Sequence, residues 1–266
     1  DYMANSHNLV ILDKGAKAQM VVCDHSIGSH RYLANRITEI FVKENATYDH
    51  YKIESTSKNT TNISSLLIEQ EANSATIANV ITLHGGTTHN NIKINLKDKN
   101  AQTTLCGMAI ENEEQKVDNY TFINHSSGET TSTELFKYIL DDNAKGGFLG
   151  RILVQKDAQK TAAFQTNRNL CLTSSAHIQT KPQLEIYADD VKCSHGATVG
   201  QLDDAALFYL RSRGIAEKEA KLLLMSAFVS DVIDNIRIDS LKDRMKILVE
   251  NTLKGQQKNC HGCKIC

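Results

Sequence analysis

The sequence has one proline, Pro182, among its 266 residues, and it has no long hydrophobic run. Its apolar stretches are interrupted by charged residues well short of the roughly 20 residues that a membrane helix needs. We therefore expect a soluble protein without membrane contact. Because proline removes a ladder donor and is excluded from central strands, a chain almost without proline is compatible with extensive β-structure.

An excess of charge is also missing, since 30 basic side chains face 31 acidic ones and the formal net charge is -1. No overall field would draw the chain onto nucleic acid or an anionic membrane. The sequence contains no G-x-x-x-x-G-K-[ST] loop, no H-E-x-x-H helix and no G-x-S-x-G elbow. These absences predict a protein that is not an enzyme and has no nucleic-acid partner.

Cysteines are present in an odd number, seven, and no secretory signal is visible at the start of the sequence. This combination favours reduced thiols in a cytoplasmic protein over a disulfide framework. The opening residues read as the middle of a domain, so the sequence could be part of a longer protein.

Short β-type runs follow one another from Leu9 to about Val199, separated by Asn, Ser, Gly, Asp or Thr clusters. Many alternate apolar and polar residues, as Ile92, Ile94 and Leu96 do. A β-sandwich and a parallel β-helix both fit this pattern, and the Asn-, Ser- and Thr-rich composition favours the β-helix. No clean rung period is visible. We interpret LFKYIL, residues 135–140, as a strand.

The periodicity becomes helical after Gly200. The spacing predicts helices over 202–213, over 217–236 and from about 239 to Gly255, with Gly214 ending the first. The predicted fold is therefore mainly β, a right-handed parallel β-helix core followed by a small C-terminal α-helical domain. We divide the chain into a β-helix core (1–200), a helical domain (201–254) and a flexible Cys-rich tail (255–266).

Cys193 and His195 are two residues apart, so in an extended segment their side chains project from the same face. A thiolate and an imidazole there could share iron or zinc, although a tetrahedral centre would need further ligands. The plain alternative is a buried cysteine that acts as a small hydrophobe beside an ordinary polar histidine.

Cys260, Cys263 and Cys266 form a CxxCxxC pattern, with His261 between them. This spacing occurs in bacterial ferredoxins, but the fourth ligand and the following proline are missing here. We slightly prefer thiols without a specific role in a mobile tail, and we keep transient iron or zinc capture as a hypothesis.

The sequence segments on either side of Cys193 are distinctive enough to indicate a protein family. YADDVKCSHGATVGQLD is followed by ALFYLRSRGI, and MANSHNLVILDKGA stands near the start. With these words the chain resembles the SufB/SufD family of the SUF iron–sulfur cluster assembly system. Val199-Gly200-Gln201-Leu202 and LFYLRSRGI are similar to the SufD branch rather than to SufB.

The resemblance implies a non-catalytic scaffold that pairs with SufB through the β-helix and binds the SufC ATPase through its C-terminal helices. It implies that His195, and secondly Cys193, take part in cluster assembly at the SufB interface. Iron or an iron–sulfur cluster would rest there transiently, with no tightly bound cofactor. In isolation such a subunit could form a homodimer through the surface intended for SufB.

Two readings from other classes remain open at this point. A β-helix enzyme such as a polysaccharide lyase or a hexapeptide-repeat acyltransferase would need a cleft with clustered acids, calcium ligands or a catalytic histidine, and no such cluster is evident. A self-associating structural protein is the other reading, because an exposed β-helix edge invites pairing.

Overall fold

The computed structural model describes residues 2–26 and 30–256, which form fourteen strands followed by three helices. Sheet A contains β1 (Tyr2–Leu12), β3 (Tyr32–Val42), β5 (Thr60–Gln70), β7 (Thr87–Leu96), β9 (Lys116–His125), β11 (Lys145–Val154) and β13 (His177–Ile186). Sheet B contains β2 (Lys17–His25), β4 (Thr47–Ser55), β6 (Ala75–His84), β8 (Gln102–Glu111), β10 (Thr131–Leu140), β12 (Thr161–Cys171) and β14 (Val191–Gly200). The helices are α1 (Asp204–Ser212), α2 (Glu217–Asp234) and α3 (Asp239–Leu253).

Every strand pairs in parallel with the strand two places along the chain, so each turn of the coil contributes one strand to each sheet. This confirms a parallel β-helix, since the sheets of a sandwich are antiparallel. The rungs differ in length: Tyr2 lies beside Tyr32, 30 residues on, whereas Thr61 lies beside Thr87, 26 residues on. This variation explains why no clean rung period is visible in the sequence.

The interior between the two sheets, here called the bore, is filled by the inward side chains of alternating residues. Ile92, Ile94 and Leu96 are buried there, as their alternation predicts. Gly107 makes room for Phe136, because a Cβ at this position would lie 2.2 Å from the phenyl ring. A continuous apolar core therefore runs along the coil.

Left-handed residues recur at the same corner of successive turns. Gly15, Asn45, Asn73 and Asn100 have φ angles of 70°, 60°, 55° and 60°. Asparagine tolerates this region because its short polar side chain bonds locally. The N–H of Asn45 donates to the Ala72 carbonyl of the next turn at 3.0 Å. Backbone hydrogen bonds therefore join successive turns at this corner as well as along the strands.

The predicted helices are confirmed within a few residues at each end. Asp203 caps α1 by accepting from the backbone N–H groups of Ala205 and Ala206, and Gly214, with φ 86°, follows its end. In the described part of the chain no helix has the length and apolar character to cross a membrane.

Helices α2 and α3 cover the outer face of sheet B, where their apolar side chains form a second hydrophobic cluster with the strands. Lys137 of β10 anchors α2, because its buried ammonium donates to the Phe228 carbonyl and to Asp231, both at 2.6 Å. Asn79 of β6 donates to the Val232 carbonyl at 2.9 Å.

The division into core, helical domain and tail stays a prediction.

The expected strand at LFKYIL is part of β10, and Pro182 lies in β13, the last strand of sheet A. The sequence pattern singles out no β-type run within β8, β12 or β14. Four positions of β12 that face the bore are polar and buried, which reverses the usual apolar-inward pattern: Thr161, Gln165, Asn167 and Asn169.

Candidate functional site: the open end of the β-helix

The two sheets end side by side at β13 and β14. Within the described residues, each of these strands has a strand partner on one side only, β11 for β13 and β12 for β14. A terminal strand carries unpaired backbone N–H and C=O groups along its free side. This end of the coil, like the opposite end at β1 and β2, can therefore pair with another strand. We call the β13–β14 end, which carries Cys193 and His195, the open end.

Cys193 and His195 lie on β14, on the face that continues the wall of the bore. Cys193 is beside the buried Ala163, is half-buried and packs against the interior cluster. His195 is beside the buried Gln165 and is itself exposed. Their Cα atoms are about 6.6 Å apart along an extended strand. The structure therefore gives the two residues the common face that their spacing predicts.

The thiol and the imidazole have different surroundings. Burial raises the pKa of Cys193, and a hydrogen bond with the Ala163 backbone opposes this effect. No residue of the described ranges makes a hydrogen bond or ion pair with the His195 side chain. Those ranges also contain no group of three or more His, Cys, Asp or Glu residues that could hold a metal ion. Cys193 and His195 are thus at most part of a metal site.

A polar column leads from His195 into the bore. Glu134 of β10 lies beside Gln165 of β12, and Gln165 lies beside His195 of β14. Gln165 Nε2 donates to Glu134 Oε2 at 2.6 Å. Burial raises the pKa of Glu134 to about 7, and interactions with the side chains of Gln165 and Thr121 partly oppose this. We call Glu134, Gln165 and His195 the mouth column.

Sequence reasoning missed Glu134 and Gln165. They are 61 and 30 residues before His195, with no motif around them, and only the strand register brings the three together.

The family of the chain follows from its comparison with known proteins. Residues 1–228 match the family model described as the SufBD core domain of the SUF system for iron–sulfur cluster assembly. The chain belongs to the SufB/SufD family. The match includes the whole open end and both residues that the sequence analysis singled out.

Relatives in this family are found in bacteria and a plant. The chain is 34% identical over 248 residues to the iron–sulfur cluster assembly protein SufD of Escherichia coli. The aligned region covers 92% of this chain and 58% of that protein. A SufBD family protein of Synechocystis is 37% identical over 81% of this chain and 48% of its own length. Arabidopsis thaliana protein ABCI7, chloroplastic, is 29% identical over 94% and 53%. The chain thus spans about half the length of these SufB/SufD relatives.

The helices form a second surface of interest in this SufB/SufD chain. Helix α1 contains no buried residue, and Phe208 and Tyr209 are 74% and 57% exposed. Leu223 on α2 is exposed as well. A groove of about 940 Å³ lies between α1, the first half of α2 and the end of α3. Leu207 and Leu223 line this groove, and Phe208 and Tyr209 follow Leu207 on α1. Aromatic side chains are enriched at binding surfaces.

Cys260, Cys263 and Cys266 lie outside the described residues, so their role stays a prediction. Among the described cysteines, Cys106, Cys171 and Cys193 are free thiols.

Proposed function

We propose that this chain is a SufD-type, non-catalytic scaffold subunit that pairs with SufB and binds the SufC ATPase. The observation that supports this most directly is the position of Cys193 and His195 on β14, a terminal strand that has one strand partner among the described residues. The similarity to a protein named SufD over 92% of the chain supports the same branch of the family.

Pairing with SufB would use the open end of the β-helix. Strands β13 and β14 offer ten residues each, enough to extend both sheets into a partner by main-chain hydrogen bonding. Such pairing would cover the mouth of the bore and supply ligands that Cys193 and His195 lack. Without SufB, two copies of this chain could meet at the same edge as a homodimer.

Docking of SufC would use the helices. Phe208 and Tyr209 expose apolar surface on α1, and Leu223 does so on α2, where it lines the groove between the helices. The opposite side of α2 packs on sheet B. Phe208 and Tyr209 are suited to anchor a partner, because a few large side chains, aromatic ones above all, contribute much of the binding energy at many interfaces.

Iron and sulfide are the cargo in this proposal. Hydrolysis of ATP by SufC would switch the complex between two conformations that differ in their affinity for SufC. Access to the open end of the bore would also differ between them. His195 would be the main iron ligand and Cys193 a second one. No cofactor would remain on the chain. Free thiols at Cys106, Cys171 and Cys193 fit a reducing compartment, and we assign the protein to the cytoplasm.

Co-expression with candidate SufB and SufC proteins tests the assembly. We expect a complex containing all three subunits, with its stoichiometry measured by native mass spectrometry. Phe208→Ala/Tyr209→Ala should lose SufC but keep SufB. The scaffold proposal is wrong if the unmodified chain co-purifies with neither partner.

His195→Ala tests the site. The complex should assemble with unchanged stoichiometry, since His195 is exposed and has no partner in the described part of the chain, but cluster formation should be impaired. Cluster yield would be measured from iron and acid-labile sulfide per complex. His25→Ala, which changes an exposed histidine on β2 at the opposite end of the coil, is the matched control. A normal yield from the His195 variant would remove this residue from the mechanism.

A further inference from the structure

Gln165, the neighbour of His195 on β12, is firmly positioned although one of its polar atoms has no hydrogen-bond partner among the described residues. Gln165 lies between Glu134 and His195 in the register of sheet B and is 1% exposed. Neighbouring strands are about 4.8 Å apart, so side chains at matching positions on one face stack directly on each other. The amide of Gln165 is therefore next to the position from which the imidazole of His195 projects.

Each end of the Gln165 amide has a different environment. Its nitrogen donates to Glu134 Oε2 at 2.6 Å. Its oxygen, Oε1, is buried without a hydrogen-bond partner among the described residues. Because the nitrogen and the oxygen diverge from one carbon atom, the bond to Glu134 turns the oxygen away from β10. A buried acceptor without a donor costs about 1 to 3 kcal/mol, so this arrangement needs an explanation.

The opposite wall of the bore is shaped around this amide. A Cβ at Gly150 of β11 would lie 2.3 Å from Gln165 Nε2 and 2.6 Å from the ring of Phe148. Glycine at this position thus leaves the space that the amide occupies. Glu134 on one side and Gly150 on the other restrict the orientation of Gln165.

We propose that Gln165 is the positioning residue of His195. When a partner covers the open end, Gln165 Oε1 accepts the N–H of one imidazole nitrogen, and the other nitrogen carries its lone pair toward the iron. Metal-binding histidines usually donate their second ring N–H to such an acceptor, which selects one tautomer and one ring orientation. Glu134 acts one step further back by fixing the amide. This inference rests on the proposed role of His195.

Substitutions at Gln165 in the complex with SufB and SufC test the inference. Gln165→Met keeps the length of the side chain and removes the acceptor, so cluster yield should fall by about 10-fold or more. Glu134→Gln/Gln165→Glu exchanges the two side chains, so the hydrogen bond between them and an acceptor oxygen beside His195 are both kept, and most of the yield should be restored. Gln70→Met is the control, because Gln70 is equally buried in the bore but lies on β5, far along the coil.

The tautomer of His195 gives a readout that a purely structural role would not change. Only this chain would carry ¹⁵N-histidine in the complex, and the His195 signal in magic-angle-spinning spectra would be identified by its loss in His195→Ala. We expect one tautomer in the unmodified and Glu134→Gln/Gln165→Glu complexes and a mixture in Gln165→Met. If Gln165→Met fails to assemble, Gln165→Asn, which retracts the amide, should show the same mixture.

The outcomes separate this inference from the proposed function. A normal yield and a single tautomer in Gln165→Met, with the loss in His195→Ala still present, would overturn the role of Gln165 and leave the scaffold proposal intact. A normal yield from His195→Ala would contradict the proposed site itself. Loss of yield in Gln70→Met equal to that in Gln165→Met would also overturn the positioning role, since any change in the bore would then suffice.

Discussion

Two groups of buried polar side chains in the bore differ in how completely they are paired. In the middle of the coil, Lys52 Nζ donates to Glu54, Ser64 and Asn90 at 3.2, 3.1 and 2.7 Å. Asn90 Nδ2 in turn donates to Asn119 at 2.9 Å. This series, which we call the central chain, ends where Asn119 bonds the Tyr138 hydroxyl and that hydroxyl donates to the Gly147 carbonyl.

The mouth column ends without partners. Gln165 Oε1 is buried and has no hydrogen-bond partner among the described residues, whereas no atom of the central chain is in that state. His195 at the end of the column is exposed. A closed network rigidifies a core, while an incomplete one is costly to keep. The difference indicates that the central chain stabilises the fold and that the mouth column is adapted to a partner.

Removing the charge at the centre should have the largest effect on stability. Lys52→Met leaves Glu54, which is fully buried, without its cation, and we expect unfolding to become easier by about 3 to 5 kcal/mol. Urea unfolding followed by circular dichroism would measure the loss. Lys116→Met, at an exposed position of β9, should change stability by about 0.5 kcal/mol at most. Equal losses in both variants would show that the central chain has no special importance.

The strands and helices could be predicted where one face of an element is apolar. Ile92, Ile94 and Leu96 show the alternation of a strand, and the apolar residues of α2 recur every three or four positions because one side of the helix lies on sheet B. Strand β8 lacks such alternation, because its inward residues line the bore and its outward residues Cys106, Met108 and Ile110 lie in the cluster with the helices.

The candidate site could be predicted only in part. Cys193 and His195 share one strand, so their spacing alone places them on a common face. Glu134 and Gln165 are on other turns, and rungs of 26 to 32 residues give no fixed period from which to align them: Thr61 lies beside Thr87, and Lys145 lies beside His177. Their polar side chains also face inward, where pattern rules expect apolar residues.

Neutralising Glu134 should have the next largest effect, and its sign depends on pH. The pKa of this carboxyl is about 7 in the folded chain, against an ordinary value of 4.5. The folded state thus holds the proton more tightly than the unfolded state. The stability that this proton provides is complete below the ordinary pKa, is lost as the pH rises toward 7 and stays lost above it.

Glu134→Gln keeps an acceptor for Gln165 but cannot ionise. Relative to the unmodified protein, we expect little change at pH 5 and a stabilisation of up to about 3 kcal/mol at pH 8, because 2.5 pKa units correspond to about that free energy. Subtracting the two urea-unfolding curves at each pH cancels the titration of other groups. Glu114→Gln, in an exposed turn, should give a difference that does not vary with pH. A flat difference for Glu134→Gln would mean that the mouth column holds a paired charge, as the central chain does, and that the contrast between them does not exist.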